Sequence, residues 1–532
     1  MKKIVLSVML FSCATILCSA QNIQFQKTFG EQGTYESIVK IIKKADNGFM
    51  VLANAQIDTA APKTDIVVVS MDSLGNVLWS KNYGTADQDF PVGIAAASDG
   101  GYFVGGRTFL ADGFHDDFLI FKISDVGDIV WQTSYGGADY DEATGIAATS
   151  DGVVIFGQTS SAGAADYGLV LKFSNAGTMM WEQSYQRGND FSCKFYDADV
   201  NTNDEIALVG TTASVFVPDI FVSKLSNMGD TIWSSTLGSS GKTEIASSVR
   251  YTATGDIMVS GYHSLPNTAL QTNLFAAKFT ATGDTTFFKS YGTTAQERAT
   301  CMAKTKDNKF VIGGFFKSGS STSQKSIGLA LKINDLGVIE GAKSYGDTTH
   351  YGIIYSMSEL NENGYAFGGE TYTYGDSIGD IFMGKTNAID LTSCNENNYS
   401  IATYHNTLTL KKGAVAAFPA DLTSLSNLGI VLTQNDYNMP DNIICLVTGI
   451  NSKLKKELAS VYPNPANSAI NITLTQAGNN EITITDLNGR VMYQKNTSFL
   501  NSAISLANFA NGVYFVSVKN NNQVDNLKFV KE

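Results

Sequence analysis

The segment Asp125-Val126-Gly127-Asp128-Ile129-Val130-Trp131-Gln132-Thr133-Ser134-Tyr135-Gly136 decides the fold, because it recurs along the chain. A tight turn centred on glycine leads into a strand-like run that ends on an aromatic-glycine pair. That pair returns as Phe29-Gly30, Tyr83-Gly84, Tyr291-Gly292 and Tyr345-Gly346, with Tyr185-Gln186 and Leu237-Gly238 as variants. Seven copies thus follow one another at spacings of 54, 52, 50, 52, 54 and 54 residues. The turn glycine is followed four residues later by an aromatic in Gly75/Trp79, Gly127/Trp131, Gly177/Trp181, Gly229/Trp233 and Gly283/Phe287. This one slot takes all four tryptophans of the chain.

Working outward, each unit holds four short strands; in the second they are expected near Gly93–Ala97, Tyr102–Gly106, Asp117–Ile123 and Ile129–Tyr135. Tight turns Ser98-Asp99-Gly100-Gly101 and Asp125-Val126-Gly127-Asp128 join the first to the second and the third to the fourth. Residues 107–116 make a longer polar loop between the middle strands. Four strands at a period near fifty match a propeller blade; coils of a β-helix are shorter and more uniform. The phase of the repeat sets the closure. Ile23-Gln24-Phe25-Gln26-Lys27-Thr28-Phe29 matches only a fourth strand, while the last unit, from Tyr345 to Lys385, supplies three. Adding one to the other completes an all-β, seven-bladed β-propeller over residues 21–390, with the N-terminal strand beside Asp380–Lys385.

The ends carry addresses. Lys2 and Lys3, the apolar run Ile4 to Leu17 and the small-residue site Cys18-Ser19-Ala20 read as a signal peptide over residues 1–20, cleaved between Ala20 and Gln21. No later run of eighteen apolar residues exists, so no transmembrane segment is expected in the mature chain. Net charge is −13 and the 37 basic residues are dispersed, which argues against nucleic acid as a partner. Of six cysteines, Cys13 and Cys18 leave with the signal, and Cys193 and Cys301 fall inside repeats. Cys394 and Cys445 flank a β-rich connector over residues 391–457 and are the natural disulfide pair in an oxidising compartment.

From Val461 onward come Tyr462-Pro463-Asn464-Pro465-Ala466, Ile470-Asn471-Ile472-Thr473-Leu474, and then Ile482-Thr483-Ile484-Thr485-Asp486-Leu487-Asn488-Gly489-Arg490-Val491. Ile504-Ser505-Leu506, Asn511-Gly512-Val513-Tyr514-Phe515-Val516-Ser517-Val518 and Lys528-Phe529-Val530-Lys531 complete the run. Period-two alternation with glycine-centred turns gives a small β-sandwich over residues 458–532. The same ordered motifs resemble the type A C-terminal sorting domain of type IX secretion cargo in Bacteroidetes. That resemblance implies recognition by the type IX secretion machinery, passage through the periplasm, and a secreted or cell-surface location.

In a propeller the loops between second and third strands share one face with the blade-linking loops, and variation there sets specificity. The linking loops carry Asp89, Phe90, Tyr140, Asp141 and Glu142, with acids Glu36, Glu244 and Glu297 at or beside the equivalent place. The longer loops add Phe114, His115, Tyr262, His263, Phe315, Phe316, Tyr372 and Tyr374. Aromatic platforms with carboxylates suit a glycan or a peptide segment of a surface or matrix protein. A repeating acid can equally brace a neighbouring backbone N–H. Asp197, Asp199, Asn201 and Glu205 hold oxygen ligands at positions 1, 3, 5 and 9, as in the calcium loops of integrin-type repeats, although Thr202 stands where those favour glycine. Ca²⁺ is thus the one cofactor considered, against a plain polar turn. The four histidines lack metal-ligand spacing, and neither G-x-S-x-G nor H-E-x-x-H occurs. The expectation is a non-enzymatic binding protein; the alternatives are a polysaccharide-active hydrolase using paired carboxylates and a passive adhesin or spacer.

Overall fold

The computed structural model describes residues 24–447 and 459–532, apart from 31–33, 59–62, 110–114, 164, 189, 214–216, 240–241, 266–267, 318–324, 347–351, 361–363, 373–378 and 388–390. Residues 392–395, 405–408, 412–416, 419–424, 428–429, 475–477, 479, 488 and 521–522 are likewise excluded. The signal peptide with Ala20 and Gln21, and Phe114, Tyr374 and Cys394, therefore lie outside the described residues. Everything described is strand, turn or coil, and the chain divides into two units, Met1–Gly449 and Ile450–Glu532.

The first unit contains seven antiparallel five-stranded sheets. We number them one to seven by their first strands: Glu36–Lys43, Gln88–Ala96, Asp141–Thr149, Ser192–Val200, Glu244–Tyr251, Gln296–Lys304 and Gly352–Glu359. In sheets one to six the next three strands follow in chain order; in sheet two these are Tyr102–Phe109, Asp116–Ile123 and Ile129–Gly136. Sheet seven takes its fourth strand from Gln24–Phe29, which pairs with Asp380–Asn387 from Phe25↔Lys385 to Phe29↔Ile381, as the repeat phase requires. Each first strand neighbours the first strand of the next sheet, and that of sheet seven neighbours that of sheet one.

Burial explains the residue pattern. The middle strands are covered on both faces, so Asp116–Ile123 is buried at all eight positions, while fourth strands such as Ile129–Gly136 are buried only over their last three residues. Core clusters bridge adjacent sheets, as when Leu52, Ile66 and Val68 of sheet one meet Val104, Leu119 and Phe121 of sheet two. Each such side chain contributes about 1.5–3 kcal/mol by leaving water.

The two recurring sequence anchors form a clasp between sheets. Trp131, Trp181 and Trp233 donate their indole N–H to Asn175 O (2.9 Å), Asn227 O (3.0 Å) and Ala281 O (2.9 Å) in the following unit's turn. Their rings cover that turn's glycine, and Phe25 does the same for Gly75 between sheets seven and one. Gly127 shows why glycine is needed: φ is +83° and a Cβ would press into the Trp79 ring. Tyr83, Tyr185 and Tyr291 complete the clasp by donating to Gly127 O (2.5 Å), Gly229 O (2.7 Å) and Gly337 O (2.8 Å).

The fifth strand of every sheet comes from the segment expected to be a connector. Glu396–Asn398 pairs with sheet six, Ala402–Tyr404 with sheet five, Thr409–Lys411 with sheet four and Ala417–Phe418 with sheet three. Ser426–Asn427 then pairs with sheet two, Thr433–Asp436 with sheet one and Asp441–Val447 with sheet seven. Far from spacing two domains, this segment runs backwards past all seven sheets and satisfies the outer edge that each fourth strand would leave open.

The second unit packs a three-stranded sheet (Ala459–Tyr462, Ala469–Leu474, Asn501–Ser505) with a four-stranded one (Asn480–Asp486, Val491–Thr497, Gly512–Asn520, Gln523–Lys531). Alternate residues Ile470, Ile472 and Leu474 of one face Ile482, Ile484, Val516 and Val518 of the other in a shared core. Among the described residues no helix is long and apolar enough to cross a membrane.

Candidate functional site

Every first strand in the first unit breaks register once, between Ile38/Lys40, Pro91/Gly93, Ala143/Gly145, Phe195/Asp197, Ala246/Ser248, Ala299/Cys301 and Ile354/Ser356. The residues skipped are Val39, Val92, Thr144, Tyr196, Ser247, Thr300 and Tyr355, and all seven line a single cavity of about 380 Å³. A bulge re-aims one side chain out of the pleat; here one from each sheet converges on the same space. Thr144 Oγ1 and Tyr355 Oη donate to Phe195 O (2.7 Å) and Glu370 Oε1 (2.9 Å), and Tyr35 Oη donates to Glu370 Oε2 (2.6 Å). With their protons committed to the chain, these hydroxyls present acceptor lone pairs to the cavity. Sequence reasoning missed this ring; its signal is the one residue per unit that interrupts period-two alternation in the first strand.

A side pocket of about 330 Å³ opens beside the cavity and shares Val39, Asn54, Val92, Thr144 and Tyr196 with it. Its wall carries Phe90 beneath the Arg107 guanidinium (5.1 Å) and Tyr196 beneath the Lys194 ammonium (5.7 Å). Arg107 Nη1 donates to Asp116 Oδ2 (2.6 Å), Glu142 Oε1 (3.3 Å) and Tyr140 Oη (3.3 Å), and Lys194 also pairs with Glu142. Burial raises the Asp116 carboxyl against the opposing pull of Arg107, and burial beside Glu142 pushes the Tyr140 phenol up to about 12. Phe90, Tyr140 and Glu142, singled out from sequence, are thus brought together.

Others go elsewhere. Asp89 and Asp141 are fully buried and brace the blade links, accepting from Thr85 N (2.6 Å) and Gly137 N (2.7 Å). Glu244 and Glu297 stand at the equivalent places, accepting from Ser239 Oγ (2.5 Å) and Tyr399 Oη (3.0 Å). Burial raises the carboxyl pKa of all four, that of Glu244 to about 7. His263 is buried, contacts Ser290 Oγ at 2.8 Å and is pushed down by burial to about 4. Phe315 and Phe316 are buried, the latter against Tyr399 of the encircling segment. Tyr262 lies under Arg298, Tyr372 Oη donates to Glu370 Oε1 (2.9 Å), and His115 is half-buried.

The calcium loop does not form. Strand alternation puts Asp197 and Asp199 on one face, where Asp197 Oδ2 accepts from Arg250 Nη1 (2.6 Å), Ser248 Oγ (2.6 Å) and Val249 N (3.1 Å). Asp199 Oδ2 accepts from Tyr251 N (2.7 Å). Asn201 Oδ1 closes a polar turn onto Asn203 N and Glu205 N, and Glu205 pairs with Lys224 (2.8 Å). Among the described residues no three acidic, histidine or cysteine side chains are grouped to hold a metal ion.

Below the bulge ring the cavity meets a second one of about 870 Å³, bordered by the tight turns. Lys40, Ile146, Asp197 and Arg250 line both and form the waist between them.

Residues 460–532 match the secretion system C-terminal sorting domain family. This tail marks the chain as type IX secretion cargo, a secreted or outer cell-surface protein. Regulatory protein FlaEY of Caulobacter vibrioides is 27% identical over 161 residues, covering 25% of this chain and 17% of that protein. The chain therefore spans under a fifth of the length of that curated relative. Among solved structures, a protein of unknown function from Dyadobacter fermentans is similar at 12% identity and a TM-score of 0.42, over 68% of this chain and 98% of that one. PorZ, a surface component of the type-IX secretion system of Porphyromonas gingivalis, is similar at 10% identity and a TM-score of 0.24, over 93% and 81%.

Proposed function

We propose that the first unit is a seven-bladed β-propeller whose central cavity and adjoining pocket bind a polar ligand, most simply a glycan, outside the cell. The observation that carries this reading is the convergence of seven bulged side chains, one per sheet, on a cavity rimmed by aromatic rings and hydroxyl acceptors. A stacking ring with nearby acceptors suits a sugar, which has apolar faces and many O–H donors. A segment of a surface or matrix protein is the other ligand class this rim would take.

Binding without catalysis is favoured by how the acids are used. Asp141 is buried against backbone N–H groups and Glu142 is held by Arg107 and Lys194, so neither stands free to act as a general acid or base. We further propose that Cys394 and Cys445 are bonded. Support comes from the bonded state of Cys445 and from the path of the encircling strands, which start with Glu396 on sheet six and finish on neighbouring sheet seven.

A glycan array and a polysaccharide-hydrolysis screen on secreted protein test the reading together. Selective binding that Phe90→Ala weakens at least tenfold is expected, with no turnover. Turnover abolished by Glu142→Gln would replace the binding reading with the hydrolase; silence in both assays, and toward matrix proteins, would leave a spacer.

A further inference from the structure

One charged group in the cavity is left over. Lys40, in the middle of the first strand of sheet one, lines the waist, and among the described residues its ammonium makes no hydrogen bond or ion pair. Two cations, Lys40 and Arg250, line the cavity against one carboxylate, Asp197, and Arg250 holds that carboxylate by a hydrogen bond. Asp197 is taken by Arg250, Ser248 and Val249 N, and Asp199 accepts from Tyr251 N, with Lys304 contributing a further positive charge near Asp199. A cavity lined by one more cation than carboxylate favours an anionic guest.

The rest of the cavity asks for donors. Tyr35, Tyr355 and Thr144 have committed their protons to the chain, and among the described residues the buried Asn54 Oδ1 has no partner. A ligand meeting both demands has several hydroxyls and one carboxylate within the size of a sugar ring.

We infer that the cavity is an acidic-sugar site, taking a uronic-acid residue with its carboxylate on the Lys40 ammonium and its hydroxyls on the tyrosine and asparagine acceptors. This rests on the binding reading above and narrows its ligand class. The carboxylate answers the excess cation of the lining, so the acid form is selected over the neutral sugar of the same shape.

The test is titration calorimetry on the full chain with a uronic-acid disaccharide and its carboxyl-reduced, neutral counterpart, and with acetate as a carboxylate lacking the ring. The acidic disaccharide is expected to bind at least tenfold more tightly than the neutral one, with acetate weaker than both. Lys40→Met, which keeps the side chain's length, should abolish that preference while leaving the circular dichroism unchanged. Equal binding of the two disaccharides, or a preference that survives Lys40→Met, would overturn the acidic-sugar site and leave the glycan reading standing. Acetate binding as tightly as the disaccharide would reduce the site to a bare anion pocket and overturn the sugar assignment. No binding of any of them would overturn this inference together with its parent.

Discussion

The buried acid at the head of sheet five gives the protein a pH dependence whose sign and size can be worked out. Glu244 is fully buried; Oε1 accepts from Ser239 Oγ at 2.5 Å, whereas Oε2 has no hydrogen-bond partner among the described residues. Burial outweighs the hydrogen bonds from Ser239 and raises the carboxyl from 4.5 to about 7. The unfolded chain thus releases this proton near pH 4.5 and the folded chain only near pH 7. A folded-state pKa raised in this way favours the native state below about pH 4.5, and the advantage is lost as pH rises toward 7. Between pH 5 and pH 8 the loss amounts to roughly 2 kcal/mol, at about 1.4 kcal/mol per pKa unit. Glu244→Gln, which never ionises, removes this dependence. Its stability relative to wild type should improve by roughly 2 kcal/mol between pH 5 and pH 8. Guanidinium unfolding followed by tryptophan fluorescence reads this directly, since Trp79, Trp131, Trp181 and Trp233 all belong to the first unit. A difference between variant and wild type that stays constant across that pH range would refute the reasoning.

Three further outcomes are expected. Trp181→Ala should destabilise the first unit by about 2–3 kcal/mol through the lost ring over Gly229 and the lost bond to Asn227 O. Trp181→Phe should cost about 1 kcal/mol, and equal losses in both variants would show that the clasp's hydrogen bond is the whole effect. Replacing Cys394 and Cys445 by serine should lower stability by up to about 4 kcal/mol, from a closed loop of about fifty residues. Reductant should then affect wild type but not the variant; two free thiols in secreted wild type would end the disulfide proposal. Deleting residues 460–532 should retain a folded first unit in the periplasm, read by fractionation, because its strands and core are formed without the tail. Appearance of the truncated chain outside intact cells would remove the sorting role from the tail.

Whatever is periodic or local in this protein can be read along the chain. Gly127 and Trp131 were legible because each performs the same task in every unit, clasping one sheet to the next, so the constraint is printed at a fixed spacing. The pairing of Gln24–Phe29 with Asp380–Asn387 was legible too, since a leftover fourth strand and a unit one strand short satisfy each other's edges. The alternating isoleucines of the tail likewise announced a two-sheet core. Other features depend on contacts between residues far apart in the chain. Most of the fifth strands between Glu396 and Val447 are too short, some of only two residues, to show periodicity, and they exist because seven outer edges offer unpaired backbone groups. The acids divided for the same kind of reason: Asp141 and Glu142 are adjacent in sequence, yet alternation buries one against Gly137 N and turns the other toward Arg107 and Lys194. Asp197 and Asp199 read as ligands along the chain, but Asp197 pairs with Arg250 and Asp199 accepts from Tyr251 N, both on the neighbouring strand. Lys40 is an ordinary lysine in one dimension; it becomes a binding group only where the seven first strands gather it with Arg250 around a single carboxylate, Asp197.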